Sequence, residues 1–272
     1  MKSPGAGFDS GALAFAFPRL TPVVKLILIV CGVLQLAQLV SQGQVGDWLA
    51  LSAARIGANP LLGIPNFFTY MWVHDYGGLG HLVMNMLALW FFGSMIEEEI
   101  GARAFFRVFV ASGLGGGLLW VIAAQLTGIP GAAVLGASGG VYGILTFAAF
   151  RHPRMRVILI LFPIMLAWLV GGLAVFAVYD MIVQLQRGGA GGTAHAAHVG
   201  GMVAGFVFFR FRGSLARSDV EREARAALAA RNKIKADEAE LDRILAKIHS
   251  EGMTKLTKAE RRFLETRSKN KS

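Results

Sequence analysis

Six long apolar runs follow one another along most of the chain, and each must be kept away from water. Hydrophobic residues make up 54% of the 272 residues and charged residues 16%, and the mean hydropathy is +0.53. This composition is too apolar for an ordinary soluble domain. A helix needs roughly 20 apolar residues to cross about 30 Å of hydrocarbon. The sequence therefore predicts an all-α membrane protein with six transmembrane helices in a lipid bilayer.

The apolar runs also predict how the chain is divided. They extend approximately from Val23 to Val40, Leu79 to Met95, Ala104 to Leu126, Ser138 to Phe150, Ile164 to Gln184 and Ala194 to Arg210. We expect a membrane domain over 21–212, preceded by an N-terminal segment, 1–20, and followed by a soluble tail, 213–272. The long connection between the first two spans contains an amphipathic stretch, Asp47 to Ile56, which is predicted to lie at the membrane interface.

The tail is charged, with 15 Lys and Arg and 10 Asp and Glu from residue 213 onward. Four apolar residues there follow helical spacing: Leu241, Ile244, Leu245 and Ile248. Thr257 and Glu260 have the spacing of a capping box, which marks the start of a helix. These patterns predict that the tail folds into a few small helices.

Basic residues indicate the orientation in the membrane. They follow the fourth and sixth spans, at Arg151, Arg154, Arg156, Arg210, Arg212 and Arg217. The positive-inside rule then puts both termini in the cytoplasm. The net charge of +10 is explained by lipid headgroups and topology, so we expect no nucleic-acid partner. The acidic run from Glu97 to Glu99 is interpreted as a solvated helix end. The absence of an arginine-rich, acid-poor presequence favours a bacterial inner membrane.

The fourth span is too short to cross the membrane. About 13 residues at 1.5 Å each extend roughly 20 Å, some 10 Å less than the hydrocarbon thickness. If Arg151 marks its cytoplasmic end, Ser138 lies at the opposite end, below the membrane surface. Irregular backbone before it is tolerated at that depth only where it is packed in protein or lines a water-filled cavity. A serine at such a helix N-terminus, between Gly136 and Gly139, favours acyl transfer because main-chain N–H groups there can stabilise an oxyanion.

The sixth span contains a histidine that is a candidate base for this serine. His198, Gly201 and Gly205 lie at i, i+3 and i+7 on one helical face, and the glycines allow close contact with another helix. A serine needs a base within hydrogen-bond reach to act as a nucleophile. The alternative is that Gly139 and Gly143 only form a small-residue packing motif. A histidine inside a membrane span nevertheless favours a functional role.

These residues resemble the rhomboid family of intramembrane serine proteases. The resemblance rests on Gly136-Ala137-Ser138-Gly139, on His198 with its two glycines, on His81-Leu82-Val83-Met84-Asn85 in the second span, and on Tyr142. It covers roughly residues 20 to 212 and implies a six-helix bundle. It also implies that Ser138 and His198 form a catalytic dyad, that His81, Asn85 and the Ser138 N–H stabilise the oxyanion, and that Tyr142 packs on His198. The substrates would be transmembrane segments of membrane proteins, cleaved without a metal or organic cofactor.

Other interpretations agree less well with the sequence. His195 could compete with His198 as the base, and the two could bind a metal, but the His-Glu-x-x-His pattern of metalloproteases is absent from the sequence. Asp180 has no partner motif for an aspartyl protease, and it is not evident as an orienting acid for His198. His74 is expected to support a loop. A transporter is disfavoured because no internal repeat is found. A non-catalytic rhomboid-like protein that binds or escorts transmembrane clients remains the alternative.

Overall fold

The computed structural model describes residues 18–159, 162–187 and 195–269. The first 17 residues of the predicted N-terminal segment, and Ala194 at the start of the sixth predicted span, lie outside these ranges. The helices are α1 (Pro22–Val40), α2 (Gln44–Leu49), α3 (Ala53–Ala58), α4 (Pro60–Gly63), α5 (Asn66–Thr69), α6 (Leu79–Ala88), α7 (Ser94–Ile100), α8 (Ala102–Leu126), α9 (Ser138–Arg151), α10 (Leu166–Gln186), α11 (His195–Glu251) and α12 (Lys258–Lys269).

In the part of the chain that the structure describes, four short strands form two antiparallel pairs. The strands are β1 (Leu51–Ser52), β2 (Ala133–Val134), β3 (Arg156–Leu159) and β4 (Phe162–Met165). β1 pairs with β2, and β3 pairs with β4 in a hairpin between α9 and α10. Single 3₁₀ turns lie at Tyr70–Trp72 and Met253–Lys255, and a π-helical turn at Leu89–Gly93 joins α6 to α7. The strands are too short to form a sheet layer, so the architecture is helical.

The long helices agree with the predicted spans. Among the described residues, four helical segments are long and apolar enough to cross a membrane: α1, Leu79–Ile100, α8 and α10. α9 has 14 residues, which corresponds to a length of about 21 Å. α11 supplies the sixth helix of the bundle. The protein is therefore an all-α membrane protein whose fourth membrane helix, α9, is short.

The core of this bundle surrounds α9. Almost every residue of α9 is buried, on all of its faces, as expected for a helix enclosed by others. α8 packs closely along it, with Phe105 and Phe109 fully buried. α10, in contrast, exposes about half of its apolar residues and buries only a few of them. The short helix at the centre is thus held from several sides, whereas α10 offers its surface to lipid.

The connection between α1 and α6 contains several short elements. The stretch from Asp47 to Ile56 is divided among α2, β1 and α3. Leu51 is fully buried, and β1 pairs with β2 just before α9. Pairing satisfies backbone groups that would otherwise be buried without partners. The connection therefore packs against the loop that leads to Ser138.

The prediction for the acidic run was wrong for Glu97. Its side chain is buried, and its carboxylate accepts hydrogen bonds from the Thr21 hydroxyl at 2.5 Å and from the N–H groups of Val23 and Val24 at 2.9 Å. These N–H groups belong to the first turn of α1, and N–H groups in a first turn have no acceptor within their own helix. Glu97 is thus a helix cap supplied by α7, while Glu98 and Glu99 are exposed.

Two units are distinguished by their internal contacts, 1–210 and 211–272. The second unit does not consist of a few small helices as predicted, because α11 continues without interruption to Glu251. No proline interrupts α11, and the helix ends just before Gly252, which has φ +85°. Within this unit Ile244 and Leu256 are buried. The predicted capping box is confirmed, since Glu260 accepts from the Thr257 N–H and donates its own N–H to the Thr257 hydroxyl.

Candidate active site

Ser138 is the first residue of α9 and is only 6% exposed. Two hydrogen bonds hold the loop before it. The N–H of Gly136 donates to the Tyr70 carbonyl at 2.9 Å, and the N–H of Ala137 donates to Nε2 of His74 at 3.3 Å. A helix cannot satisfy the N–H groups of its own first turn. The loop therefore positions Ser138 where main-chain donors and the positive end of the helix dipole meet.

His198 lies beside this serine. Its Nε2 is 3.0 Å from the Ser138 hydroxyl oxygen, although the two residues are 60 positions apart in the chain. The ring of Tyr142 stacks on the ring of His198, with centroids 4.1 Å apart and an interplanar angle of 4°. Nδ1 of His198 has no hydrogen-bond partner among the described residues. The pair is therefore a serine and a histidine in hydrogen-bond contact, and the histidine ring is stacked on Tyr142.

Close contacts between glycines make this distance possible. A side chain on Gly201 would overlap the carbonyl of Gly139, and one on Gly205 would overlap the carbonyl of Gly143. α8 is equally close, because a Cβ on Gly116 would come within 2.6 Å of the Ala197 carbonyl. The glycines thus bring α9 and α11 into backbone contact. The packing interpretation and the functional one are compatible, since the packing places His198 on Ser138.

Gly136 and His81 lie against each other. Gly136 has φ +124°, which L side chains rarely adopt, and a Cβ there would be 2.7 Å from Cε1 of His81. Asn85, one turn later on α6, is buried and uses one amide hydrogen on the His81 carbonyl at 3.0 Å. The structure therefore brings His81 to the loop that precedes Ser138. Asn85 lies on the same helix face, and no hydrogen bond between it and the serine is present in the described residues.

His74 supports the serine loop, residues 135–137 between β2 and α9, as its position before the second span suggested. It is fully buried, and its ring lies edge-on to His81 with centroids 5.3 Å apart. Burial, together with the nearby charge of His81, lowers the pKa of His74 from its ordinary value of 6.5 to about 3. A neutral ring leaves Nε2 free to accept from Ala137. His74 therefore acts as a hydrogen-bond acceptor for the loop.

Sequence patterns missed two features of the site. The Tyr70 hydroxyl donates to the Gly113 carbonyl at 2.6 Å while its own carbonyl accepts from Gly136, so it links α8 to the serine loop. No motif marks this tyrosine. Asp180 was not expected to contact a histidine, yet its Oδ2 lies 2.7 Å from Nδ1 of His195. Of the two histidines at the start of α11, it is His198 that meets Ser138.

The fold and the site together define a class of protein. It is a polytopic α-helical membrane protein with a buried serine and histidine in hydrogen-bond contact, at the N-terminus of a short central helix. Comparison with known families agrees with this class. The Rhomboid domain model matches residues 63–214, more than half of the chain, and the chain therefore belongs to the rhomboid family.

Known relatives carry the same family name. Rhomboid protein 1, mitochondrial, of Saccharomyces cerevisiae is 32% identical over 152 residues, which are 54% of this chain and 42% of that protein. RHOMBOID-like protein 12, mitochondrial, of Arabidopsis thaliana is 32% identical over 148 residues, 49% of this chain and 43% of that protein. The human Presenilin-associated rhomboid-like protein, mitochondrial, is 29% identical over 133 residues, 49% of this chain and 34% of that protein. The chain thus spans less than half the length of these relatives.

The tail matches a second family model. It covers residues 231–270 and is described as a family of unknown function. The match falls within the unit formed by residues 211–272.

Proposed function

We propose that this protein is an intramembrane serine endopeptidase that cleaves peptide bonds in or near transmembrane segments of other membrane proteins. The observation that carries the proposal is the 3.0 Å contact between the Ser138 hydroxyl and Nε2 of His198. A neutral imidazole at this distance can take the hydroxyl proton as the serine attacks. The family membership supports the same activity.

The reaction follows the chemistry of a serine nucleophile. Ser138 attacks a peptide carbonyl of a partly unwound substrate segment while His198 accepts its proton. His198 then protonates the leaving amine, and the acyl-enzyme is hydrolysed by a water that His198 activates. The residues present carry out these steps, so the proposal invokes no metal or organic cofactor.

Oxyanion stabilisation is assigned to three groups. The Ser138 N–H, at the start of α9, and the side chains of His81 and Asn85 would donate to the developing charge. The contact of His81 with Gly136 and the shared α6 face of His81 and Asn85 support this assignment. Gly136, Gly139, Gly201 and Gly205 support the site through the close backbone approach that they permit, and Tyr142 orients the His198 ring.

The proposed location is a bacterial inner membrane with both termini in the cytoplasm. The arginines that follow α9 support this orientation. The relatives named above are mitochondrial by name, so the compartment is tested directly by fractionation of cells that express the protein, together with protease protection of each terminus. The substrate class and the lipid bilayer are the only partners proposed.

The activity is tested with a transmembrane-segment reporter and detergent-purified protein. Wild type is compared with Ser138→Ala and His198→Ala, and with Ser250→Ala and His249→Ala as matched controls at exposed positions of the tail. We expect cleavage to be lost in the first two variants and retained in both controls. Equal cleavage by all variants would assign the activity to another site. A folded wild type that binds several reporters without cutting any would favour the escort function.

A further inference from the structure

A polar cluster lies beside His198. Asp180 of α10 and His195 of α11 are joined by the 2.7 Å contact between Oδ2 and Nδ1. The Gln184 side chain donates to the same carboxylate oxygen at 2.5 Å. An ionisable side chain inside a membrane domain is costly unless it is paired. The contacts with His195 and Gln184 therefore offset the cost of placing the Asp180 carboxylate there.

His195 is held in one orientation. Its ring lies edge-on to Phe176 of α10, with centroids 5.2 Å apart and planes at 75°. It is also edge-on to His198, at 5.5 Å and 79°. The two histidines are three residues apart, so they share one face of α11. A displacement of His195 would thus disturb the ring that contacts Ser138.

His198 has no direct acidic partner among the described residues, because its Nδ1 makes no hydrogen bond with any of them. When it takes the serine proton it becomes an imidazolium in a buried site. The titratable side chains that face it are His195 on its own helix and His81 of α6, while the Tyr142 ring stacks on it and the Ser138 hydroxyl lies 3.0 Å away. A positive charge on either histidine would oppose the imidazolium. Asp180 is the carboxylate placed to balance that charge, through His195.

We propose that Asp180 and His195 are positioning residues for His198. Asp180 fixes the His195 ring and balances positive charge on it, and His195 in turn orients His198 and favours its charged form. This role rests on the proposed protease function. It differs from a triad because the carboxylate acts through a second imidazole ring. Since Asp180 lies on α10 and His195 on α11, this contact also connects α10 to the site.

The first test is the steady-state kinetics of Asp180→Asn with a transmembrane reporter. We expect kcat to fall about tenfold, comparable to the lower end of the effect of removing the hydrogen-bond partner of a metal-bound histidine, while KM stays nearly constant. Loss of the carboxylate removes support for the imidazolium, so the acid limb of the kcat profile shifts to lower pH. Asp180→Glu should restore part of the rate and of the limb. Asp47→Asn, the same change at an exposed aspartate of α2, is the matched control.

A double-mutant cycle separates a joint role from two independent ones. If the residues act as a unit, Asp180→Asn with His195→Gln is no slower than the slower single variant. If the losses in kcat of the two single variants multiply in the double variant, the joint positioning role is wrong. An unchanged kcat and acid limb in folded Asp180→Asn would also overturn it, and in both cases the protease function stands as long as Ser138→Ala is inactive. If Asp180→Asn does not fold, His195→Gln provides the kinetic test, with the same fall in kcat and shift of the acid limb expected. Full cleavage by Ser138→Ala would overturn the protease function as well.

Discussion

Gly201 of α11 lies directly against the carbonyl oxygen of Gly139 in α9, and no side chain fits between them. The contact is one residue after Ser138 and three residues after His198. Its consequence is that the helices meet backbone to backbone at the point where the serine and the histidine must approach.

Gly201→Ala should therefore separate the two helices. The added methyl overlaps backbone that cannot rotate away, so we expect a loss of about 1–3 kcal/mol in the free energy of unfolding and a loss of cleavage. Stability is measured by unfolding in mixed detergent micelles. Gly32→Ala on α1, where a Cβ meets nothing within 4 Å, is the control. Equal stability of the two variants would contradict the close contact.

Asn85→Ala should slow cleavage without preventing folding. Removal of one oxyanion donor costs about 2.7–4 kcal/mol in the barrier, which is roughly 10²–10³ in kcat. KM should change little, because the interaction is made mainly in the transition state. The measurement is steady-state cleavage of the reporter, with Val83→Ala at an exposed position of α6 as control. A change confined to KM would assign Asn85 to substrate binding instead.

Gly136→Ala should damage the loop that leads to Ser138. The residue has φ +124° and lies against His81, so alanine is both strained and obstructed. We expect a stability loss of about 1–3 kcal/mol from the backbone conformation alone, together with a fall in kcat. Gly128→Ala, which also has positive φ but open surroundings, isolates the backbone effect. If both variants lose kcat equally, the His81 contact is not important for activity.

Glu97→Ala should destabilise the start of α1. Three donors, the Thr21 hydroxyl and two N–H groups, lose their acceptor in a buried place. An unsatisfied buried donor costs about 1–3 kcal/mol, and we expect a total of at least that size in the free energy of unfolding. Glu98→Ala is the natural comparison, because Glu98 is exposed. Thermal melting in detergent measures both variants, and similar melting temperatures would argue against the cap.

His74 should make stability depend on pH. Its pKa is about 3 when folded and 6.5 ordinarily, so the unfolded chain binds the extra proton between these values. The stabilisation is complete above about pH 6.5 and is lost as the pH falls toward 3, by up to about 1.4 kcal/mol per pH unit. His74→Gln keeps an acceptor but does not titrate. Unfolding at pH 5 and pH 7.5 should therefore show a weaker pH dependence in His74→Gln, and identical slopes would exclude His74 as the cause.

The spans and the serine loop show how much of this protein is readable from local patterns. Apolar runs of a given length predict membrane helices because hydrocarbon thickness is a fixed requirement. The shortness of α9 and the glycines around Ser138 and His198 were likewise visible along the chain. The extension of α11 beyond Arg210 was missed, because charged residues end a membrane span without ending a helix.

What the sequence by itself determined is the helical membrane fold and the identity of the serine, the histidine and the glycines that allow them to meet. Only the tertiary structure decided which side chains pair between helices. Tyr70 contacts Gly113, Glu97 caps α1 from 73 or more residues away, and Asp180 pairs with His195. Such contacts join side chains on different helices, so their partners depend on how the helices pack. Periodicity and spacing describe a single helix, and the pairing of helices is a property of the whole bundle.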